Sequence, residues 1–245
     1  MARESGMLGI QGPRMNELEL TGRARTHVVE LDRPRCVLHA EVVTSFLAMR
    51  DAAAVAGIDL VAASSFRDFD RQVFLWNRKW SGERPLLDRG GRAIDPASLD
   101  DARRVDAILC WSAIPGGSRH HWGSDVDVID EAAMPDGYKV QLVPAEYAAS
   151  GVFGRLGAWL DVNMTRFGFH RPYASVGCGA GVEPWHLSYW PVSSAALESL
   201  TLPVLRSAIA ASDMLGKAQV LERLTEIYTR FVLAVDPPSR AGRAG

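Results

Sequence analysis

Two short segments of this chain bring histidines and carboxylates together at spacings that suit metal-ion chemistry. The first reads S-R-H-H-W-G-S-D-V-D-V from Ser118 to Val128. From Asp125 onward acids alternate with valines, so in a strand Asp125 and Asp127 share one face while Val126 and Val128 turn toward a core. Carboxylates on one strand face, close behind a histidine pair, either meet water or hold a cation. A strand entered from a glycine turn can bring His120 and Asp127 to one point. The second segment, E-P-W-H from Glu183 to His186, adds another carboxylate and another imidazole in aromatic surroundings. Pro184 blocks a regular helix there, so this is not the helical H-E-x-x-H arrangement.

Zinc takes nitrogen and oxygen ligands at about 2.0–2.2 Å, and a catalytic zinc keeps one position open for water. A glutamate beside that water can accept its proton during attack on a carbonyl and return it to a leaving amine. Each segment alone also has a plainer reading: a solvated strand edge with surface histidines, and a structural Glu–His hydrogen bond.

Taken with a third segment, the pattern resembles a known family. Ser64-Ser65-Phe66-Arg67 with Gln72 following, Ser118 through Asp127, and Glu183-Pro184-Trp185-His186 follow the order S-G-Y-R, S-x-H-x-x-G-x-A-x-D, E-x-W-H. These are the signatures of the zinc D-Ala-D-Ala carboxypeptidases and dipeptidases, a group that includes phage endolysin peptidases and the Hedgehog signalling domain. The match extends over about residues 40–190. The resemblance implies an α+β Hedgehog/DD-peptidase-like fold, a small antiparallel sheet flanked by helices. It implies zinc held by His120, Asp127 and His186, Glu183 as the catalytic base, and Arg67 as the donor that stabilises the developing oxyanion. Ser118, Gln72, Ser65, Trp185 and Asp125 are the expected substrate-side residues, with Trp185 shaping the wall and holding His186.

Departures from the family pattern fall at particular positions. Asp125 stands where a small residue is usual, so it either hydrogen-bonds a ligand histidine, touches a cationic part of the substrate, or is solvated at a strand edge. Ser188 stands where many relatives carry an arginine. Ser65 and Phe66 replace the usual Gly and Tyr. Among the other histidines, His121 is expected to point away from His120 in an extended segment, either supporting the site from behind or lying at the surface. His170 is expected to pack among aromatic residues, and His27 and His39 carry no signal.

The elements that must position these residues are legible from periodicity. Residues 40–56 place Val43, Phe46, Leu47, Ala53 and Ala54 at helical spacing, with Gly57 as a stop. A short apolar strand follows, then a helix over 68–80 capped by Asp68, with Phe69, Val73, Trp76 and Trp80 as its buried stripe. Residues 81–97 read as a loop. A third helix is expected from a Ser98/Asp101 capping box to about Trp111. Another helix covers 152–166, with Phe153, Leu156, Trp159, Leu160 and Met164 inward, and a final strand covers 182–190. Beyond 195, Val220, Leu224, Ile227 and Phe231 form one helical stripe.

The expected organisation is therefore a disordered leader (1–14), a zinc peptidase domain (15–194), a helical extension packed on it (195–235) and a disordered tail (236–245). A hydrophobic fraction of 47%, a charged fraction of 23% and a net charge of −2 describe an ordinary globular chain. Basic residues are interleaved with acids, which gives no support to a nucleic-acid partner. Cys36, Cys110 and Cys178 are too sparse for a disulfide framework; Cys110 reads as core and Cys178 as exposed. No apolar run is long enough to span a membrane, and the N-terminus lacks the apolar stretch of a signal peptide. The compartment stays open between cytoplasm, which is favoured, and periplasm. The oligomeric state is not legible.

The leading expectation is a metallo-carboxypeptidase acting on D-Ala-terminated peptides such as peptidoglycan stems, at a D-Ala-D-Ala or L,D bond. The alternatives are a peptidoglycan endopeptidase and a non-catalytic zinc-binding module. Glu183 and Arg67 argue against the module, since a structural site needs neither.

Overall fold

The alternating V-D-V-I-D run and the H-L-S-Y run are the two central strands of the sheet that carries the site. The structure is a computed structural model and describes residues 15–175 and 179–238; the leader, Cys178 and residues 239–245 lie outside them. Strand β1 (Val28–Asp32) and strand β2 (Arg35–His39) form a two-stranded ribbon ahead of helix α1 (Val43–Val55). Strand β3 (Leu60–Ser64) then leads into helix α2 (Phe69–Trp80), and a small hairpin of β4 (Leu86–Leu87) and β5 (Ala93–Ile94) precedes helix α3 (Asp101–Leu109). Strand β6 (Asp125–Asp130), helix α4 (Gly154–Asn163), strand β7 (Phe169–His170) and strand β8 (His186–Tyr189) complete the sheet-bearing half.

The main sheet is antiparallel, in the order β3-β6-β8-β7. Its register pairs Asp127 with Ser64 on one side and with His186 on the other, and pairs Asp125 with Ser188. A mixed architecture of small antiparallel sheets flanked by helices is thus the expected α+β class.

Every residue of β6 is buried. One face packs Val126 and Val128 with Phe46, Met49, Leu156 and Leu160 from α1 and α4. The acid face is covered as well, so no part of this strand is a solvated edge. Full burial of alternating carboxylates requires charged or hydrogen-bonded partners for each.

After β8 the chain is helical: α5 (Trp190–Ser199), α6 (Leu202–Ala210), α7 (Lys217–Glu222), α8 (Leu224–Ile227) and a π-type turn over Tyr228–Leu233. Val220, Leu224, Ile227 and Phe231 are buried in a second core with Trp76 of α2 and Ile108 of α3. The helical region begins at Trp190 rather than 195 and shares that core with helices α2 and α3 of the sheet-bearing half. Asp236, where a disordered tail was expected to begin, accepts hydrogen bonds from the backbone of Ala174 and Ser175.

Three local expectations are corrected. Helix α3 is capped by Asp100, whose side chain accepts from Arg103 N, because Pro96–Ser98 form a separate 3-10 turn capped by Asp95. The stretch 81–97 is not only loop, since it contains the β4–β5 hairpin. The final strand is confined to 186–189, because the Glu183 carbonyl closes a turn onto His186 N instead of entering a ladder.

Candidate metal and active site

His120 is presented by a 3-10 turn over Arg119–Trp122, not by an extended segment. The turn ends at Gly123, whose φ of +66° is left-handed, and a Cβ there would lie 2.6 Å from His39 N. Glycine is thus required both by conformation and by close approach. Trp122, fully buried, pins the turn by donating from Nε1 to Leu20 O at 3.1 Å. Three hydrogen bonds then tie it to the loop between β3 and α2. Arg67 N donates to His120 O (3.1 Å), His120 Nδ1 donates to Ser65 O (2.9 Å), and His121 Nδ1 donates to Arg67 O (2.6 Å).

His121 therefore faces inward. It is completely buried, its Nε2 accepts from Gly116 N, and burial drives its pKa down to about 3. His27, which carried no signal in the sequence, donates from Nε2 to His121 O at 2.9 Å.

The donation from His120 Nδ1 leaves Nε2 facing Asp127, 3.4 Å from Oδ2. His186 is oriented the opposite way. Its Nε2 donates to Asp125 Oδ1 at 3.0 Å, which leaves Nδ1 facing Asp127 Oδ1 at 3.4 Å and Glu183 Oε2 at 3.1 Å. Both imidazoles thus have one nitrogen fixed by a partner and the other aimed at a common point, the arrangement that outer carbonyl and carboxylate partners impose on metal-ligating histidines.

One ligand atom from each of His120, Asp127 and His186 lies within 4.8 Å of the others, and among the described residues this is the His/Cys/Asp/Glu group compact enough to hold a metal. Asp127 Oδ1 is buried with no hydrogen-bond partner. Burial alone would pull the His186 pKa down, but hydrogen bonds to Asp125 and Glu183 and the charge of Asp127 push it up to about 10. The pocket therefore stabilises positive charge at the point where the three donors meet. Two nitrogens and a carboxylate oxygen around an acidic pocket fit a divalent cation such as zinc.

Asp125 is inaccessible to solvent and to a substrate. Its carboxylate accepts from Arg119 Nε (2.8 Å), Ser124 Oγ (2.5 Å) and His186 Nε2. Of the alternatives open in the sequence, this geometry is that of a carboxylate hydrogen-bonded behind His186. Arg119, also buried, donates its Nη2 to Ser188 Oγ at 2.6 Å and so bridges the two paired positions where the chain departs from the family pattern. His170 packs against Trp190 and donates from Nδ1 to the Ser188 carbonyl; burial lowers its pKa to about 4.

Glu183 sits in a turn held at several points. Its N donates to Tyr173 O (2.9 Å), Arg171 Nε donates to Pro184 O (2.8 Å), and Val128 N donates to Trp185 O (3.0 Å). Arg67 donates to Gln72 Oε1 (2.8 Å) and Ser64 Oγ (3.0 Å), and Gln72 in turn donates to Ala113 O. Burial lowers the Arg67 pKa while the charges of Asp127 and Glu183 oppose it, so the guanidinium lies within the field of the acidic pocket.

Most of the residues expected on the substrate side also have partners within the chain. Gln72 is fully buried against Arg67, Ser65 Oγ accepts from Val37 N, and Trp185 packs on Tyr147 in the main core. Ser118 Oγ is buried without a hydrogen-bond partner.

Sequence reasoning missed Arg119 and Lys79. Lys79 donates to Ser112 Oγ at 2.7 Å, and its pKa falls to about 8 through burial and the nearby Arg84, with Glu183 opposing. The spacing of Gln72, Trp76 and Lys79 on one face of α2 was the available signal.

Comparison with known proteins gives the following similarities. The profile of the family described as VanY, D-alanyl-D-alanine carboxypeptidase, matches residues 35–192. An uncharacterised protein of Haemophilus influenzae is 33% identical over 122 residues, covering 49% of this chain and 93% of that protein. A D-alanyl-D-alanine carboxypeptidase of Enterococcus faecalis is 26% identical over 148 residues, covering 59% of this chain and 45% of the relative. A solved structure of a VanY D,D-pentapeptidase mutant with Zn(II) superposes with a TM-score of 0.49 at 22% identity, over 70% of this chain and 84% of that one.

Proposed function

Because the chain belongs to the VanY family of D-alanyl-D-alanine carboxypeptidases, we propose that it removes the terminal D-alanine from peptidoglycan-type peptides by metal-assisted hydrolysis. The observation that carries this reading is the convergence of His120 Nε2, His186 Nδ1 and the Asp127 carboxylate beside Glu183. His120, Asp127 and His186 would hold one zinc ion. When bound, such an ion supplies Lewis acidity, polarising the scissile carbonyl and making water acidic enough to attack near neutral pH.

The remaining chemistry belongs to the chain's own groups. Glu183 takes the proton of the attacking water on a carboxylate oxygen and returns it to the leaving amine of D-alanine. Its fixed turn and its position beside His186 suit it to both transfers. Arg67, braced by Gln72 and Ser64, donates to the oxygen that gains charge as the carbonyl becomes tetrahedral. A donor already oriented needs no reorganisation at that moment, and losing one typically costs about a hundredfold or more in rate. Asp125 and Arg119 keep His186 oriented from behind.

The test is product identification. Purified protein is incubated with D-Ala-D-Ala and with tri- to pentapeptide stems, and the products are read by mass spectrometry and chiral amino-acid analysis. Loss of a single C-terminal D-alanine supports the proposal, and the preferred peptide distinguishes a D,D from an L,D bond. Internal cleavage of cross-linked stems without D-alanine release would replace it with an endopeptidase.

A further inference from the structure

Beside the metal site an open cleft of about 440 Å³ is lined by four arginines, Arg35, Arg67, Arg71 and Arg84, with Asp68 and the aliphatic Leu75 among the other wall residues. The cleft adjoins the catalytic centre directly. Ser64 and Ser65 lie in its wall, Ser64 pairs with Asp127 in the sheet, and the Ser65 carbonyl fixes His120.

The lining charge is one-sided. Asp68 is the carboxylate in this wall, and its Oδ1 is occupied in capping helix α2 by accepting from Arg71 N. Arg67 is braced by neutral partners. Among the described residues, Arg35, Arg71 and Arg84 have no carboxylate within ion-pair distance, whereas Arg50, Arg78, Arg92, Arg119, Arg171 and Arg223 each have at least one. The local excess occurs in a chain whose net charge is −2. The charges also act on one another: Arg71 and Arg84 both lower the Arg67 pKa, and Arg84 lowers that of Lys79. Unrelieved repulsion of this kind works against folding, and guanidinium groups converging on a cleft form a matched receptor for carboxylate oxygens.

We propose that this cleft is an acid-selective subsite: it receives free carboxylates carried by a peptide substrate outside its scissile unit, with Arg35, Arg71 and Arg84 as the specificity-determining residues. The proposal rests on the peptidase reading above, since a peptide reacting beside Glu183 would extend past Arg67. Exposure of the three arginines lets a flexible, acidic peptide chain reach them without rearrangement of the core.

The experiment compares two D-Ala-terminated peptides of equal length that differ only in carrying a free carboxylate or a carboxamide upstream of the scissile bond. The wild-type protein is expected to favour the carboxylate peptide at least tenfold in kcat/KM at low ionic strength. The ratio should shrink as salt is raised, because these side chains are solvent-accessible and screened. In the Arg35→Gln/Arg84→Gln double variant the ratio should fall to about one; both residues are exposed, and thermal unfolding confirms the fold. Equal kcat/KM for the two peptides in the wild type, or a ratio that survives the double substitution, overturns the proposal. In parallel, calorimetric binding of both peptides to the Glu183→Ala protein separates the subsite from the chemistry. If neither peptide is cleaved, the peptidase reading fails. The subsite then stands on tighter binding of the acidic peptide that the double variant loses, and falls if the two peptides bind alike.

Discussion

Replacing Asp125 with asparagine tests how the site orients His186, one of the three residues proposed to hold the metal. The carboxylate, itself without solvent contact, accepts the Nε2–H of His186 at 3.0 Å and is held by Arg119 at 2.8 Å. Asparagine keeps the size and one acceptor oxygen but removes the charge that makes His186 Nδ1 a strong donor. Loss of such an outer partner costs about 10- to 100-fold in metal affinity, or roughly 1.4–2.7 kcal/mol. Because the amide oxygen can still accept, Asp125→Asn is expected near the tenfold end. A flipped amide that donates to Nε2 would instead drive the proton onto Nδ1 and deepen the loss. The assay is a zinc competition titration against a chromophoric chelator, with thermal unfolding of the metal-free protein as the control for folding. Affinity within twofold of wild type, in a variant that folds, would refute the idea that Asp125 orients His186. Asp125→Ala is the harsher probe: it leaves the Arg119 guanidinium buried without its carboxylate, a loss of about 3–5 kcal/mol.

Other perturbations address separate parts of the account. Glu183→Gln should retain one zinc per chain while kcat falls by about a hundredfold or more; metal analysis beside steady-state kinetics checks both halves, and undiminished turnover would remove Glu183 from proton transfer. Leu224→Ala, in the second core shared with α2 and α3, should cost about 2–5 kcal/mol in a single cooperative transition. A separate transition for the C-terminal helices, with the sheet-bearing half untouched, would contradict a shared core. His170 titrates at about 4 because burial disfavours its charged form. Its unfolded pKa is higher, so the unfolded state binds more protons and stability falls as pH drops from about 6.5 toward 4. His170→Gln should therefore lose less stability than wild type between pH 7 and pH 4.5 in denaturant titrations; equal losses would assign the acid sensitivity elsewhere.

The grouping of His120, Asp127 and His186 beside Glu183 was readable in the sequence because its signal is local. Two motifs with fixed spacing supply His120, Asp127, His186 and Glu183, and any fold that satisfies them must join the two segments. The destination of Asp125 was not readable. It depends on the cross-strand pairing of Asp125 with Ser188 and on a 3-10 turn that swings Arg119 inward, neither of which leaves a periodic trace. The same turn buries His121 against the Arg67 carbonyl, which leaves the supporting position and removes the surface alternative. Asp68 was identified as a helix cap because an apolar stripe starts directly after it. The cap of α3 was misplaced by two residues, because Ser98, Asp100 and Asp101 are chemically similar and Pro96 diverts the chain into its own turn first. Arg35 and Arg84 stand far from the motifs in sequence, so only the folded chain reveals the cationic cleft.

The most direct test of the central claim is metal dependence of D-alanine release. Protein stripped with a chelator should release no D-alanine from a D-Ala-terminated stem peptide, and one equivalent of zinc should restore full activity. His186→Ala should fail to recover at that stoichiometry. Undiminished release from protein shown to be metal-free would contradict the account, because Glu183 and Arg67 alone would then be carrying the hydrolysis.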